Sequence, residues 1–150
     1  FREVAAEHGA SLKKSYSGRG LAVGDFDNDG DSDLLLINVG EPPSLLRNDG
    51  GNRNHWLGIK LVGTKSNRDG IGAKIAITAA GSRRQKQMLG GTSYCSASDK
   101  RLLFGLGAST QVAEVEVTWP GGQISTIKNV SVDQYVIVRE NAQNPKVTSR

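Results

Sequence analysis

Apolar positions along this chain come in short bursts separated by glycine-rich polar turns. GRGLAVG (18–24) and LLLINVG (34–40) read as two strands joined by a strongly acidic connection. Leu34 to Ile37 is an unbroken apolar run, which predicts a strand covered on both faces. EPPSLLRNDGGN then reads as a loop, a short strand at Leu45 and Leu46, and an NDGG turn. From HWLGIKLVG (55–63) the pattern becomes denser. Leu57, Ile59 and Leu61 share one face, the predicted core face, and Trp56, Gly58, Lys60 and Val62 share the other. Further strands are predicted at AKIAITAA (73–80), RRQKQML (83–89), RLLFGLG (101–107), AEVEVTW (113–119), QISTIKNV (123–130) and QYVIVRE (134–140). In AEVEVTW the pattern sends Val115, Val117 and Trp119 inward and Glu114, Glu116 and Thr118 outward, and PGG at 120–122 closes a tight hairpin. About seven strands in 85 residues predict an antiparallel β-sandwich. No segment longer than ten residues has a helical period, and NAQNPKVTSR (141–150) reads as a flexible tail.

Composition narrows this picture. At 150 residues the chain can build one ordinary core or two small ones. Nineteen glycines favour many short elements over long helices. No apolar run approaches 18 residues, so no membrane span is expected. FREVAAEHG lacks the charged and apolar regions of a signal peptide, which fits either a cytosolic protein or a piece of a longer secreted one. The single cysteine, Cys95, excludes an internal disulfide framework and a zinc site of several thiolates. It reads as a small strand residue. His8 and His55 are the only histidines, and nothing around them singles out a nucleophile–base pair.

Charge is unevenly spread. DFDNDGDSD (25–33) holds five of the 15 acidic residues, which leaves 10 acidic against 19 basic residues elsewhere, a balance of +9. Those basic residues are scattered, and only 5% of the chain is aromatic, so no nucleic-acid partner is expected. Within the acidic stretch, carboxylates fall at positions 1, 3, 5, 7 and 9, with Gly30 at position 6. Alternate side chains of a tightly wound loop converge on one centre, and glycine permits the sharp turn. Oxygen donors without nitrogen or sulfur select calcium. The candidate ligands are Asp25, Asp27, Asp29, Asp31 and Asp33, with Asp31 acting through its carbonyl. An EF-hand loop would place a carboxylate at position 12, which here is Leu36. Strand-like flanks point to a calcium-binding β-hairpin instead.

GRGLAVGDFDNDGDSDLLLIN resembles an FG-GAP/VCBS repeat, the calcium-loop blade of integrin-type β-propellers, and FREVAAEHGA resembles its lead-in. The resemblance implies side-chain ligation by Asp25, Asp27, Asp29 and Asp33. One blade cannot bury its own faces. The resemblance therefore implies upstream blades in the same polypeptide. Residues 54–140 resemble the ASPIC/UnbV domain of secreted proteins through NHWLGIKLVG, NRDGIGAKI, GTSYCSASDKRLLFGLG, VEVTWPGG and NVSVDQYVIVRE. The predicted organisation is a calcium-binding repeat over 1–53, a β-sandwich over 54–140 and the tail. The predicted fold class is all-β, a propeller-type hairpin beside an antiparallel sandwich.

Two polar clusters in the second part are candidate ligand sites. Asn67, Arg68 and Asp69 form one, suited to a sharp turn, a second cation or sugar hydroxyls. Ser93, Tyr94, Asp99 and Arg101 form the other, with hydroxyls and a ring suited to a saccharide. Asn129-Val130-Ser131 fits the N-glycosylation acceptor pattern. The expected function is a non-catalytic, calcium-binding module, extracellular or periplasmic, that adheres to or holds a glycan or protein ligand. The alternative is a polysaccharide hydrolase, for which Asp69, Asp99, Glu114 and Glu116 are the available acids. It would need two carboxyls about 5 to 9.5 Å apart across a cleft.

Overall fold

A computed structural model describes residues 2–141. The predicted tail therefore lies, apart from Asn141, outside the described residues. A single helical turn, α1 (Ala5–His8), and a 3-10 turn at Ala10–Lys13 lead into the first sheet. Its strands are β1 (Gly18–Gly24), β2 (Asp33–Asn38) and β3 (Ser44–Leu46), in the order β1-β2-β3 and antiparallel throughout. A second 3-10 turn, Gly51–Arg53, joins this sheet to the rest.

The remaining strands are β4 (His55–Val62), β5 (Lys74–Ala79), β6 (Ser82–Gln87), β7 (Arg101–Gly107), β8 (Gln111–Thr118), β9 (Ile124–Ser131) and β10 (Gln134–Arg139). They form a three-stranded sheet, β10-β4-β7, and a four-stranded sheet, β6-β5-β8-β9. Side chains from both sheets meet in one apolar cluster. Leu57, Ile59 and Leu61 of β4 and Phe104 of β7 face Ile75, Ile77, Val115 and Val117, with Trp119 at the end of β8. Period-two alternation produces this directly, since every second residue of a strand points to the same face. The sandwich is thus present, with one difference from expectation. β10 pairs with β4 in parallel, Gln134 opposite Leu57 through Arg139 opposite Val62. The chain reaches β10 from β9, which lies in the other sheet, so it crosses between layers and enters alongside β4 instead of folding back as a hairpin.

The PGG hairpin forms as its residues dictate: Gly122 N–H donates to the Trp119 carbonyl and Trp119 N–H to that of Gln123, both at 2.8 Å. At the other end, buried Glu140 latches β10 to the loop after β4. Its Oε2 accepts the N–H groups of Thr64, Lys65 and Ser66 at 2.7–2.8 Å, and Oε1 accepts the Ser66 hydroxyl. Burial alone would raise this carboxyl, but the bonds from Ser66, Thr64 and Lys65 pull it down to about 2.

The first sheet departs from expectation in its covering. Leu34 to Ile37 does not lie in a strand buried on both faces. Leu35 and Ile37 are 39% and 47% exposed, and Leu34 and Leu36 are only half buried. The reason is the size of the sheet. Three short strands have no second layer of their own, so side chains on each face remain within reach of water.

Candidate metal centre

The acidic stretch is the connection between β1 and β2. Its aspartates lie close together because the backbone folds onto them. Asn28 and Gly30 adopt positive φ, 63° and 96°. That bend turns successive N–H groups inward: Asp29 donates to Asp25 Oδ1 at 3.1 Å, Gly30 to Asp25 Oδ2 at 2.9 Å, and Asp31 to Asp29 Oδ1 at 3.1 Å. Carboxylate oxygens of Asp25, Asp27 and Asp29 then all lie within 4.8 Å of one another.

The other two aspartates accept bonds from the backbone. Both oxygens of Asp33 accept backbone N–H groups, from Phe26 and Asn48 at 2.8 Å each, which closes the base of the loop. Asp31 is buried; its Oδ2 accepts Gly51 N–H at 3.0 Å, while Oδ1 is buried with no partner. Burial first, and the charges of Asp29 and Asp33 after it, raise the Asp31 carboxyl above its ordinary value. An oxygen-only donor set with an orphaned buried oxygen and crowded negative charge fits a hard cation such as calcium.

The sandwich supports this loop from below. Tyr135 of β10 donates its hydroxyl to Asp25 Oδ2 at 2.5 Å. It reaches that far because its ring lies across Gly58, where a Cβ would come within 2.1 Å of ring carbons. Burial, then the bond to Asp25, raise the Tyr135 hydroxyl well above its usual value. Trp56 stacks edge-on against Tyr135, ring centroids 5.1 Å apart, and its indole fills the space at Gly30. Arg101 binds the Asp25 carbonyl at 2.6 Å and the side-chain oxygen of Asn28, and lies over the Tyr135 ring at 4.3 Å. Two nitrogens of the same guanidinium hold Asp99 Oδ2 at 2.6 and 2.7 Å. Burial opposes the Arg101 charge, but the bond to Asp99 and its charge raise the pKa nonetheless. Asn52 adds a bond to the Asp29 carbonyl at 3.2 Å.

The segment before Asp99 docks along the free edge of β1. Leu21 N–H donates to Ser96 Oγ, Val23 N–H to Ser98 Oγ, and Asp99 N–H to the Val23 carbonyl. Hydroxyls here take the place of a missing neighbour strand. Beside this junction lies a cleft of about 280 Å³, with Asp99, Arg101, Lys86, Lys100 and Tyr135 among its walls.

Of the predicted ligand residues, Arg101 therefore meets the acidic loop, and Asp99 is tied to it through Arg101 and to the end of β1 through Val23. Ser93 bridges to Ser96, and Tyr94 is 71% exposed; neither lines the cleft. Asn67, Arg68 and Asp69 sit in a separate turn. Asn67 closes it by donating to and accepting from the backbone of Ile71, while Arg68 and Asp69 are exposed. Glu116 pairs with Arg83 at 2.8 Å on the outer face of the four-stranded sheet. Sequence reasoning gave no metal-site role to Tyr135, Trp56 or Arg101. Arg101 and Tyr135 stand 73 and 110 residues from their side-chain partners in the loop, and no local pattern carries such a pairing.

A family model described as ASPIC and UnbV matches residues 63–145, more than half of the chain. The chain belongs to the ASPIC and UnbV family. Similar proteins include Cartilage acidic protein 1 of Homo sapiens and of Mus musculus, each 31% identical over 138 residues, covering 83% of this chain. Cartilage acidic protein 1 of Xenopus tropicalis is 34% identical over 113 residues, covering 73% of this chain. The chain spans about a fifth of the length of these relatives, 17–21%. The ASPIC and UnbV match takes in Arg101 and Tyr135, so two supports of the acidic loop lie inside the family segment. Among the described residues, no helix is long and apolar enough to cross a membrane.

Proposed function

We propose that this chain is a non-catalytic, calcium-stapled module of a longer extracellular or periplasmic protein, serving adhesion or the holding of a glycan or protein ligand. The observation that carries the calcium reading is the convergence of Asp25, Asp27 and Asp29 oxygens within 4.8 Å of one another. Bound calcium would neutralise that crowded charge and tie the two arms of the β1–β2 hairpin. Asp25, Asp27 and Asp29 would hold it by side chains and Asp31 by its carbonyl, with Asp33 fixing the loop's base. Extracellular modules bind calcium at about 10⁻⁴ to 10⁻³ M, which suits extracellular concentrations. A location outside the cell is supported by relatives named for cartilage.

The first sheet reads as an FG-GAP/VCBS-type blade. Leu21 and Val23 are bare on one face, and Leu35, Ile37 and Leu45 on the other. Upstream blades of the same polypeptide would cover them, in keeping with relatives several times longer. The interdomain cleft, with Asp99 and Arg101, is the best placed region for a ligand. Melting curves with calcium and with EDTA test the proposal. A hundredfold excess of calcium over its dissociation constant stabilises by about 2.7 kcal/mol, raising the midpoint by about 5–10 °C for this length. Equal midpoints would remove the calcium reading, and a glycan array screened with and without the ion tests the ligand class.

A further inference from the structure

The acidic loop has an unusual dependence on the domain that follows it. Asp25 Oδ2 accepts one bond from within the loop, Gly30 N–H, and one from the sandwich, Tyr135 Oη. Together they fix the carboxylate's rotation and leave Oδ1, which accepts only Asp29 N–H, with acceptor capacity to spare. The Asp25 carbonyl and Asn28 are held by Arg101, the Asp29 carbonyl by Asn52, and Gly30 by the Trp56 indole. Positions 1, 4, 5 and 6 of the loop are thus braced from outside the hairpin.

We infer that Tyr135, assisted by Arg101, is a positioning residue for the cation loop, so that the sandwich domain completes the metal site instead of merely standing next to it. This rests on the calcium reading above. The physical ground is preorganisation. A carboxylate already locked in its ligating rotamer loses little freedom when the ion arrives, and outer partners of metal ligands typically contribute about 10–100-fold in affinity. The phenol is well suited to holding Asp25. It donates a single hydrogen bond without adding a positive charge that would repel the ion, and its ring is pinned by Trp56 and Gly58.

The test is calorimetric titration of calcium into the metal-stripped 150-residue chain, wild type and Tyr135→Phe. Phenylalanine keeps the ring, its stacking on Trp56 and its contact with Arg101, and removes only the hydroxyl. The expected result is a dissociation constant raised about 10- to 100-fold, with the melting midpoint in EDTA changed by no more than a few degrees. Tyr16→Phe, the same change at a tyrosine outside this network, leaves the constant unaltered. If Tyr135→Phe does not fold, Arg101→Lys serves in its place. It keeps the charge but loses the fork that spans Asp99, Asn28 and the Asp25 carbonyl, and the constant is again expected to rise about tenfold. A constant within twofold of wild type in a folded variant overturns the inference while leaving the calcium reading standing. Absence of calcium uptake by the wild-type chain overturns both.

Discussion

The two regions of this molecule are held together by opposite kinds of interaction. Every residue of the principal apolar cluster lies between Leu57 and Val138, inside the sandwich. In the first sheet and its loop the buried side chains are Asp25, Asp31, Asp33 and Asn38, all polar, while Leu21, Val23, Leu35, Ile37 and Leu45 stay exposed. A dry core is stabilised by burial at about 25 cal/mol per Å² of apolar surface, with little regard for pH or ions. A polar centre depends on each partner being present, since an unpaired buried group costs about 1–3 kcal/mol. The lesson is that the sandwich carries its own stability, and the first region borrows order from Trp56, Arg101 and Tyr135.

Three substitutions would break or sharpen this contrast. Phe104→Ala acts on the core and is expected to cost about 3–5 kcal/mol. Because the sandwich also braces the loop, both regions should melt together, in one transition by circular dichroism and tryptophan fluorescence. Gly30→Ala acts at the contact itself. A methyl there would sit 2.0 Å from the Trp56 ring, on a backbone with φ of 96°. A loss of about 2–3 kcal/mol is expected from strain and overlap. It should appear as faster hydrogen exchange over residues 18–46 with the β4, β5 and β8 amides still protected. Two equally affected regions would contradict the contrast. Glu140→Gln acts on the sandwich alone and is the mildest at neutral pH. Because the folded Glu140 carboxyl is lowered to about 2, its contribution is complete above the ordinary glutamate range and is lost as pH falls from about 4.5 to 2. Urea titrations at pH 5, 4 and 3 should show a shallower acid loss of stability in the variant than in wild type, with no change in calcium response.

Most strands were legible because alternation writes the buried face into the sequence. Leu57, Ile59 and Leu61, and Val115, Val117 and Trp119, are buried as their spacing implies. β1 and β7 run over the residues predicted for them, Gly18–Gly24 and Arg101–Gly107. The ASPIC and UnbV resemblance was legible in turn residues such as NRDGIGA and PGG, which reflect backbone needs. Other features were not legible. The parallel partner of β10 depends on which layer the chain crosses to, and periodicity is silent on that. The exposure of Leu35 and Ile37 depends on what covers the sheet, which an apolar run cannot specify. Alternation puts Trp56 on the face of β4 opposite Leu57, Ile59 and Leu61, yet it too is buried because the acidic loop lies over that face. In the acidic stretch the spacing and the resemblance imply four side-chain ligands, Asp25, Asp27, Asp29 and Asp33, with Asp31 acting through its carbonyl. The folded loop gives them different roles. Three oxygen donors converge, one aspartate closes the base on Phe26 and Asn48, and one turns to Gly51.

The Tyr135–Asp25 bond spans 110 residues, and this has a consequence for the order of events during synthesis. The acidic loop leaves the ribosome 110 residues ahead of Tyr135 in β10. At about 5–20 residues per second the loop waits on the order of 10 s for its phenolic partner. Until then five aspartates lie on a hairpin without the brace from β10. The loop is therefore fully braced only after β10 has been delivered, and a polypeptide stopped short of Tyr135 would present Asp25 without its phenolic partner.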